Sequence, residues 1–243
     1  MSLPSPGSAS RPLSLILALA GLLTATGCSA ARMELDPQLA SAAPEQPVRG
    51  LSLAQFRKPV TFGPYSATLT KGGFKSTSQT NAGPFAAKKT SQDFAFTMSG
   101  GTSATWAGAC SYGSSQRAVL FPINNDAGLV CTLVPEGSAG WQIALASEGK
   151  LFGPNSLSGT LTDGQTTYGV KMIHRLANSA FSSAEPVGYE LRDAQGVAVA
   201  AVQIFNPGQV WIDPRLPAAQ QTALAAGAVA LLVSRSAASD INE

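Results

Sequence analysis

From Ala223 to Val233 every residue is Ala, Gly, Leu or Val, so the segment Pro217 to Ser234 has no polar face for water to wet. A helix that is apolar all round must be enclosed by protein or by lipid. Lipid would need about 20 consecutive apolar residues. This run is shorter, with Gln220, Gln221 and Thr222 in its first turns. The pattern therefore predicts a core helix. Pro217 suits a first-turn position, and Arg235 suits the negative pole at the other end. Gly227 is the misfit: in a helix interior it costs about 1 kcal/mol against Ala, which a close approach of neighbouring backbone would offset.

Ahead of this segment, strand-like runs recur with turn residues between them: Val60 to Thr70, Asp93 to Met98, Thr105 to Ala109, Arg117 to Phe121, Gly128 to Val134, Trp141 to Ala146, Ser158 to Thr162, Thr166 to Leu176, Val187 to Arg192, Val197 to Phe205 and Gln209 to Ile212. Asn124-Asn125-Asp126, Pro135-Glu136-Gly137, Asp163-Gly164 and Asp193-Ala194-Gln195-Gly196 read as connectors. Trp141, Ile143 and Leu145 alternate with Gln142 and Ala144, as on a half-buried strand. Val197 to Phe205 is almost continuously apolar, which predicts a helix on one side and a cover on the other. Short strands at this spacing predict a mainly β fold: an antiparallel barrel of about twelve short strands enclosing the C-terminal helix. Phe62-Gly63-Pro64 followed by Thr68-Leu69-Thr70 is echoed by Phe152-Gly153-Pro154 followed by Thr160-Leu161-Thr162, either as two related halves or as chance turn chemistry.

The N-terminus has a different character. Arg11 is the only charged residue before Cys28, and Pro12 to Leu23 is an almost unbroken apolar stretch, the layout of a signal peptide over 1–27. Ala25-Thr26-Gly27-Cys28 resembles the lipobox of bacterial lipoproteins, with Ala where Leu is usual. The resemblance implies acylation of Cys28, which becomes the first mature residue. Two or three acyl chains make a stable anchor where one is marginal. Ser29 resembles the form sorted to the outer membrane. Residues 28–55 are rich in Ala, Ser, Pro and Gln and are expected to form a flexible tether with a helical turn after Asp36-Pro37. The barrel domain is expected over 56–236, with a tail over 237–243.

Of the 243 residues, roughly 185 are left for the domain, enough for one substantial core. The formal charge of +2 falls to +1 without Arg11 and implies no nucleic-acid partner. With Cys28 acylated, Cys110 and Cys131 remain as a pair in an oxidising compartment, where a disulfide is the expected state. Its loop of about 20 residues corresponds to roughly 3 kcal/mol on a chain-entropy basis. One histidine, His174, and no further Cys pair leave no metal shell to assemble.

The stretch Gly188-Tyr189-Glu190-Leu191-Arg192-Asp193 through Val210-Trp211-Ile212-Asp213-Pro214 to Leu231-Leu232-Val233 resembles the closing segment of the tubby C-terminal-like superfamily, which includes LURP-one-related proteins and scramblases. The likeness covers roughly the last 50 residues and the number of strands. It implies a barrel threaded by its terminal helix. Tubby proteins bind phosphoinositide headgroups; their basic binding motif has no match here, so no site residue carries over.

No P-loop, dinucleotide fingerprint, nucleophile elbow or metalloprotease motif is present, and no cofactor is implied. His174, between Met172-Ile173 and Arg175, reads as structural, and Asp213 before Pro214 as a turn or cap residue. The sharpest functional feature is electrostatic. No acid lies between Glu45 and Asp93, while Arg49, Arg57, Lys58, Lys71, Lys75, Lys88 and Lys89 are basic, with Phe56, Phe62, Tyr65, Phe74 and Phe85 among them. Brought to one surface, Arg57, Lys58, Lys71, Lys75, Lys88 and Lys89 would engage anionic lipid or glycolipid headgroups. The expected function is a non-enzymatic envelope lipoprotein, a binding or structural module. The alternatives are an envelope hydrolase with an unrecognised site and an accessory subunit with an envelope protein partner.

Overall fold

The computed structural model describes residues 31–50, 58–72, 76–82, 85–101, 105–119, 121–147, 156–205 and 208–238, with the backbone alone given for 81, 82, 85–88, 116–119, 121–126 and 235–238. The elements run α1 (Pro37–Ala42), β1 (Gln46–Pro47), β2 (Val60–Phe62), β3 (Tyr65–Lys71), β4 (Ser76–Ala82), β5 (Phe85–Ser99), β6 (Trp106–Val119), β7 (Phe121–Pro135), β8 (Trp141–Ser147), β9 (Leu157–Thr162), β10 (Thr167–Ile173), β11 (Gly188–Arg192), β12 (Ala198–Gln203), β13 (Gln209–Ile212) and α2 (Ala218–Ala238). Every pairing between them is antiparallel. The sheet order is β1-β13-β12-β11-β10-β9-β8-β7-β6-β5-β3-β2, with β4 added to β5 outside this path. The wall is a nearly closed barrel of twelve strands. Its two ends meet where Arg49, just past β1, bridges Thr61 of β2.

The apolar helix lies inside. Leu224, Leu231 and Leu232 are 0, 0 and 1% exposed, and α2 packs against β5, β6, β7, β12 and β13. Thr222 donates to the Ala218 carbonyl at 2.9 Å and Ser234 to the Leu231 carbonyl at 2.9 Å, so both buried hydroxyls are satisfied within the helix. Gly227 does answer a close approach, but the neighbour is the side chain of Leu161 in β9 rather than backbone: a Cβ at 227 would press on Leu161 Cδ2.

Residues 33–43, expected in the tether, form a strap on the outer wall. Met33, Leu39 and Ala43 cover Val187, Ala198, Ala201 and Trp211 in a second apolar cluster. This is the cover that the two-sided apolar run of β12 required: Val199, Ala200 and Val202 belong to the inner core, Ala198 and Ala201 to the outer one. The strap is held by backbone and by buried polar groups. Met33 N–H donates to Gln203 Oε1 at 2.9 Å, with Gln203 fully buried. Asp36 caps α1 by accepting from Gln38 N–H at 2.9 Å and accepts from Arg192 Nη2 at 3.1 Å; Arg192 Nε also donates to Glu190 at 2.7 Å. Residues 46–49 then close the barrel. Composition suggested a tether because so few side chains carry this attachment.

Other boundaries also moved. Val60 to Thr70 is a hairpin of two strands turning at Gly63-Pro64, and β5, β6 and β7 are far longer than their apolar cores. Asn124-Asn125-Asp126, expected as a connector, lies within β7 opposite Arg117, Gln116 and Ser115. The helix reaches Ala238, two residues into the expected tail. Phe152-Gly153-Pro154, half of the internal echo, lies outside the described residues.

Candidate functional site

Because the strands alternate in direction, the barrel has two distinct ends. At the upper end β10 finishes, β11 begins and α2 terminates; at the lower end lie the turns β7–β8, β9–β10, β11–β12 and β13–α2. At the upper end the wall continues as a projection. Residues 76–82 of β4 pair with β5, and 85–91 of β5 pair with 113–119 of β6. These and residues 121–127 of β7 lie beyond the last pairs that β3 and β8 make, Lys71 with Ala95 and Gly128 with Ala146. Ser76 to Thr80 are all exposed, so both faces of β4 are wet. Polar side chains without alternation left β4 unreadable in the sequence.

Cys110 and Cys131 face each other in register across β6 and β7 and form a disulfide, with Cα atoms 4.0 Å apart. Both are buried in the core. The bond fixes β6 against β7 near the base of the projection.

The basic residues divide by what is described. Cys28, Arg57 and Lys75 lie outside the described residues, and Lys88 is placed by its backbone, between Gln79 of β4 and Gln116 of β6. Lys58, Lys71, Lys89 and Arg49 are exposed; Lys71, at the close of β3, and Lys89, in the projection, lie toward the upper end, whereas Arg49 bridges Thr61, whose partner Ser66 pairs with Ser99 at the close of β5. They do not converge on one pocket. Lys71 is opposite Ala95, six residues along β5 from Lys89, which sets them about 20 Å apart along the strand. The opposite end carries acids in its turns: Glu136, Asp163, Asp193 and Asp213. Among these, Asp213 is buried and bound by Arg215, with Nε to Oδ1 at 2.9 Å and Nη2 to Oδ2 at 2.6 Å; it also accepts from Arg215 N–H at 2.9 Å. Its role is that of the turn residue expected from Asp213-Pro214. Arg215 holds its carboxyl below the ordinary carboxylate range, burial opposes this, and the backbone N–H adds to it.

His174 sits half-buried with Nδ1 3.3 Å from the Ser183 carbonyl. No group of three His, Cys, Asp or Glu side chains able to hold a metal occurs among the described residues. A shallow groove of about 580 Å³, lined by Thr105, Ala107, Val134, Pro135, Glu136 and Ser138, lies at the lower end and contains no basic side chain. No helix among the described residues is long and apolar enough to cross a membrane.

No family model matches this chain, and neither a curated protein nor a solved structure does.

Proposed function

We propose that the chain is a non-enzymatic lipoprotein of the cell envelope, acylated at Cys28, whose barrel binds anionic lipid or glycolipid headgroups at its upper end. One observation supports this most directly. Lys71 and Lys89 lie exposed toward the end opposite the acidic turns Glu136, Asp163 and Asp193, and Arg49 and Lys58 are exposed on the wall. Among the described residues none of the four has an ion-pair partner. Exposed lysines on one side of the wall, with Asp93 and Glu185 also exposed toward that end, would be the groups that meet a negative surface. The 20 Å spread of lysines fits a surface of many headgroups better than a single small ligand.

The test is co-sedimentation of the full chain carrying Cys28→Ala, which removes the anchor, with vesicles of phosphatidylglycerol. Each surface lysine is worth about 1 kcal/mol against an anionic bilayer, so changing Lys58, Lys71 and Lys89 together to Ala should weaken binding roughly a hundredfold. Rising salt should weaken it as well. Binding indifferent to salt and to the three substitutions contradicts the reading.

A further inference from the structure

We infer that the loop bearing Phe181 is a membrane-contact element, which inserts its ring into the same bilayer that holds the Cys28 anchor and fixes the barrel upper end down. The inference rests on acylation of Cys28 as proposed above.

Phe181 is 83% exposed, the most open large apolar residue among those described. It stands at the tip of a narrow loop between β10 and β11. The base is closed by Ser183 N–H donating to the His174 carbonyl at 2.6 Å and by the bridge Arg175–Ser182. The tip, Leu176 to Phe181, contains no charged residue. Ser179 closes the backbone around the ring: its hydroxyl accepts from Phe181 N–H at 3.2 Å and donates to the Phe181 carbonyl at 2.9 Å. That detail bears on function. Entering the apolar part of a bilayer is costly chiefly for unsatisfied backbone N–H and C=O groups. At Phe181 both are already satisfied, while the ring is left outside.

The location of the loop identifies the occupant. The strap begins alongside it: Ala177 N–H donates to the Arg32 carbonyl at 2.8 Å, Glu34 N–H donates to the Arg175 carbonyl at 2.9 Å, and Met33 bridges Leu176. Arg32, four residues after Cys28, is thus held beside the loop that bears Phe181. Four peptide units separate the two residues, a reach of about 14 Å at full extension. An acyl anchor that close brings its bilayer within range of this loop and of no lower-end turn. The lower end is about 23 Å away along the seven residues of β10. Arg32 and Arg175 are paired with Glu45 and Glu34 at 3.0 and 2.8 Å, so the contact is apolar at the tip, with Glu185 exposed on the returning limb of the loop.

The experiment uses the full chain, acylated in the cell and reconstituted in vesicles of phosphatidylethanolamine and phosphatidylglycerol, with acylation read by intact mass. Trp106, Trp141 and Trp211 are buried, so a tryptophan added at the surface is read over a steady background. Phe181→Trp should emit further to the blue on vesicles than in detergent-free buffer, and lipids brominated on their acyl chains should at least halve its added emission. Gln165→Trp, in the exposed β9–β10 turn, should be quenched by aqueous iodide and not by brominated lipid. Acylated, vesicle-bound protein in which Trp at 181 responds to iodide alone would overturn the loop assignment and leave the anchor standing. A chain of unmodified mass that stays off the vesicles would overturn the anchor and the loop assignment together.

Discussion

Arg49 and Thr61 exchange both backbone hydrogen bonds, Arg49 N–H to the Thr61 carbonyl at 2.9 Å and Thr61 N–H to the Arg49 carbonyl at 3.0 Å. This pair is the seam of the barrel. On its other side the same short segment pairs with β13, Gln46 with Val210 and Pro47 with Gln209. Residues near the start of the chain thus complete a wall whose other strands all come later, and the N-terminal segment cannot swing freely from the domain. If the anchor is at Cys28, the orientation of the barrel on its membrane is built into the seam and the strap.

Gln203 is the buried polar link between strap and barrel. Changing it to Ala leaves the Met33 N–H buried without its acceptor, which costs about 1–3 kcal/mol. Urea unfolding of Gln203→Ala should show a lowered midpoint of that size. An unchanged midpoint would mean that the strap contributes little to stability.

At the helix, Gly227 and Leu161 share one space. Gly227→Leu should destabilise by about 2 kcal/mol through overpacking. Combined with Leu161→Ala, the loss should be smaller than the sum of the two single losses by about 1 kcal/mol or more. Strict additivity in thermal unfolding would show that the two sites are independent.

Asp213 provides a pH signature. Its carboxyl is held below its ordinary value in the fold by Arg215, so its contribution is present above the unfolded-state value of about 3.9 and is lost as pH falls through the lower folded value. Asp213→Asn should cost about 1–2 kcal/mol at neutral pH, the low end for a charged hydrogen bond because Arg215 is largely exposed. The difference from the native chain should shrink below about pH 4. A difference that persists unchanged into acid would assign it to packing rather than charge.

The sequence revealed those parts of the fold that are held by apolar side chains and hid those held by backbone. Leu224 to Val233 require enclosure whatever surrounds them, and the run at Ala198 to Gln203 announced a cover on its far side without saying what supplied it. Cys110 and Cys131 were legible as a pair because chemistry leaves two thiols few options. The strap was hidden because Met33, Leu35 and Leu39 are sparse among Ala, Ser and Pro; only Asp36-Pro37, which does open α1, marked it. The projection was hidden because Ser76 to Thr80 face water on both sides, so no period of two is written there. Phe181 carried no signal either, since a lone Phe in a Ser- and Ala-rich loop shows its exposure only in the fold, where Arg32 bonds to Ala177 of the same loop. The basic run was legible as a run, but its division along the barrel was not.

Hydrogen exchange at the N-terminal segment tests the account most directly. The amides of Met33, Val48, Arg49 and Thr61 are donated to Gln203, Gly208, Thr61 and Arg49 respectively. In the native full chain they should be protected about a thousandfold or more, the factor that ~4 kcal/mol of opening free energy gives. Exchange of these four amides at the rate of an unstructured chain, while those of α2 stay protected, would contradict the closed barrel and the orientation derived from it.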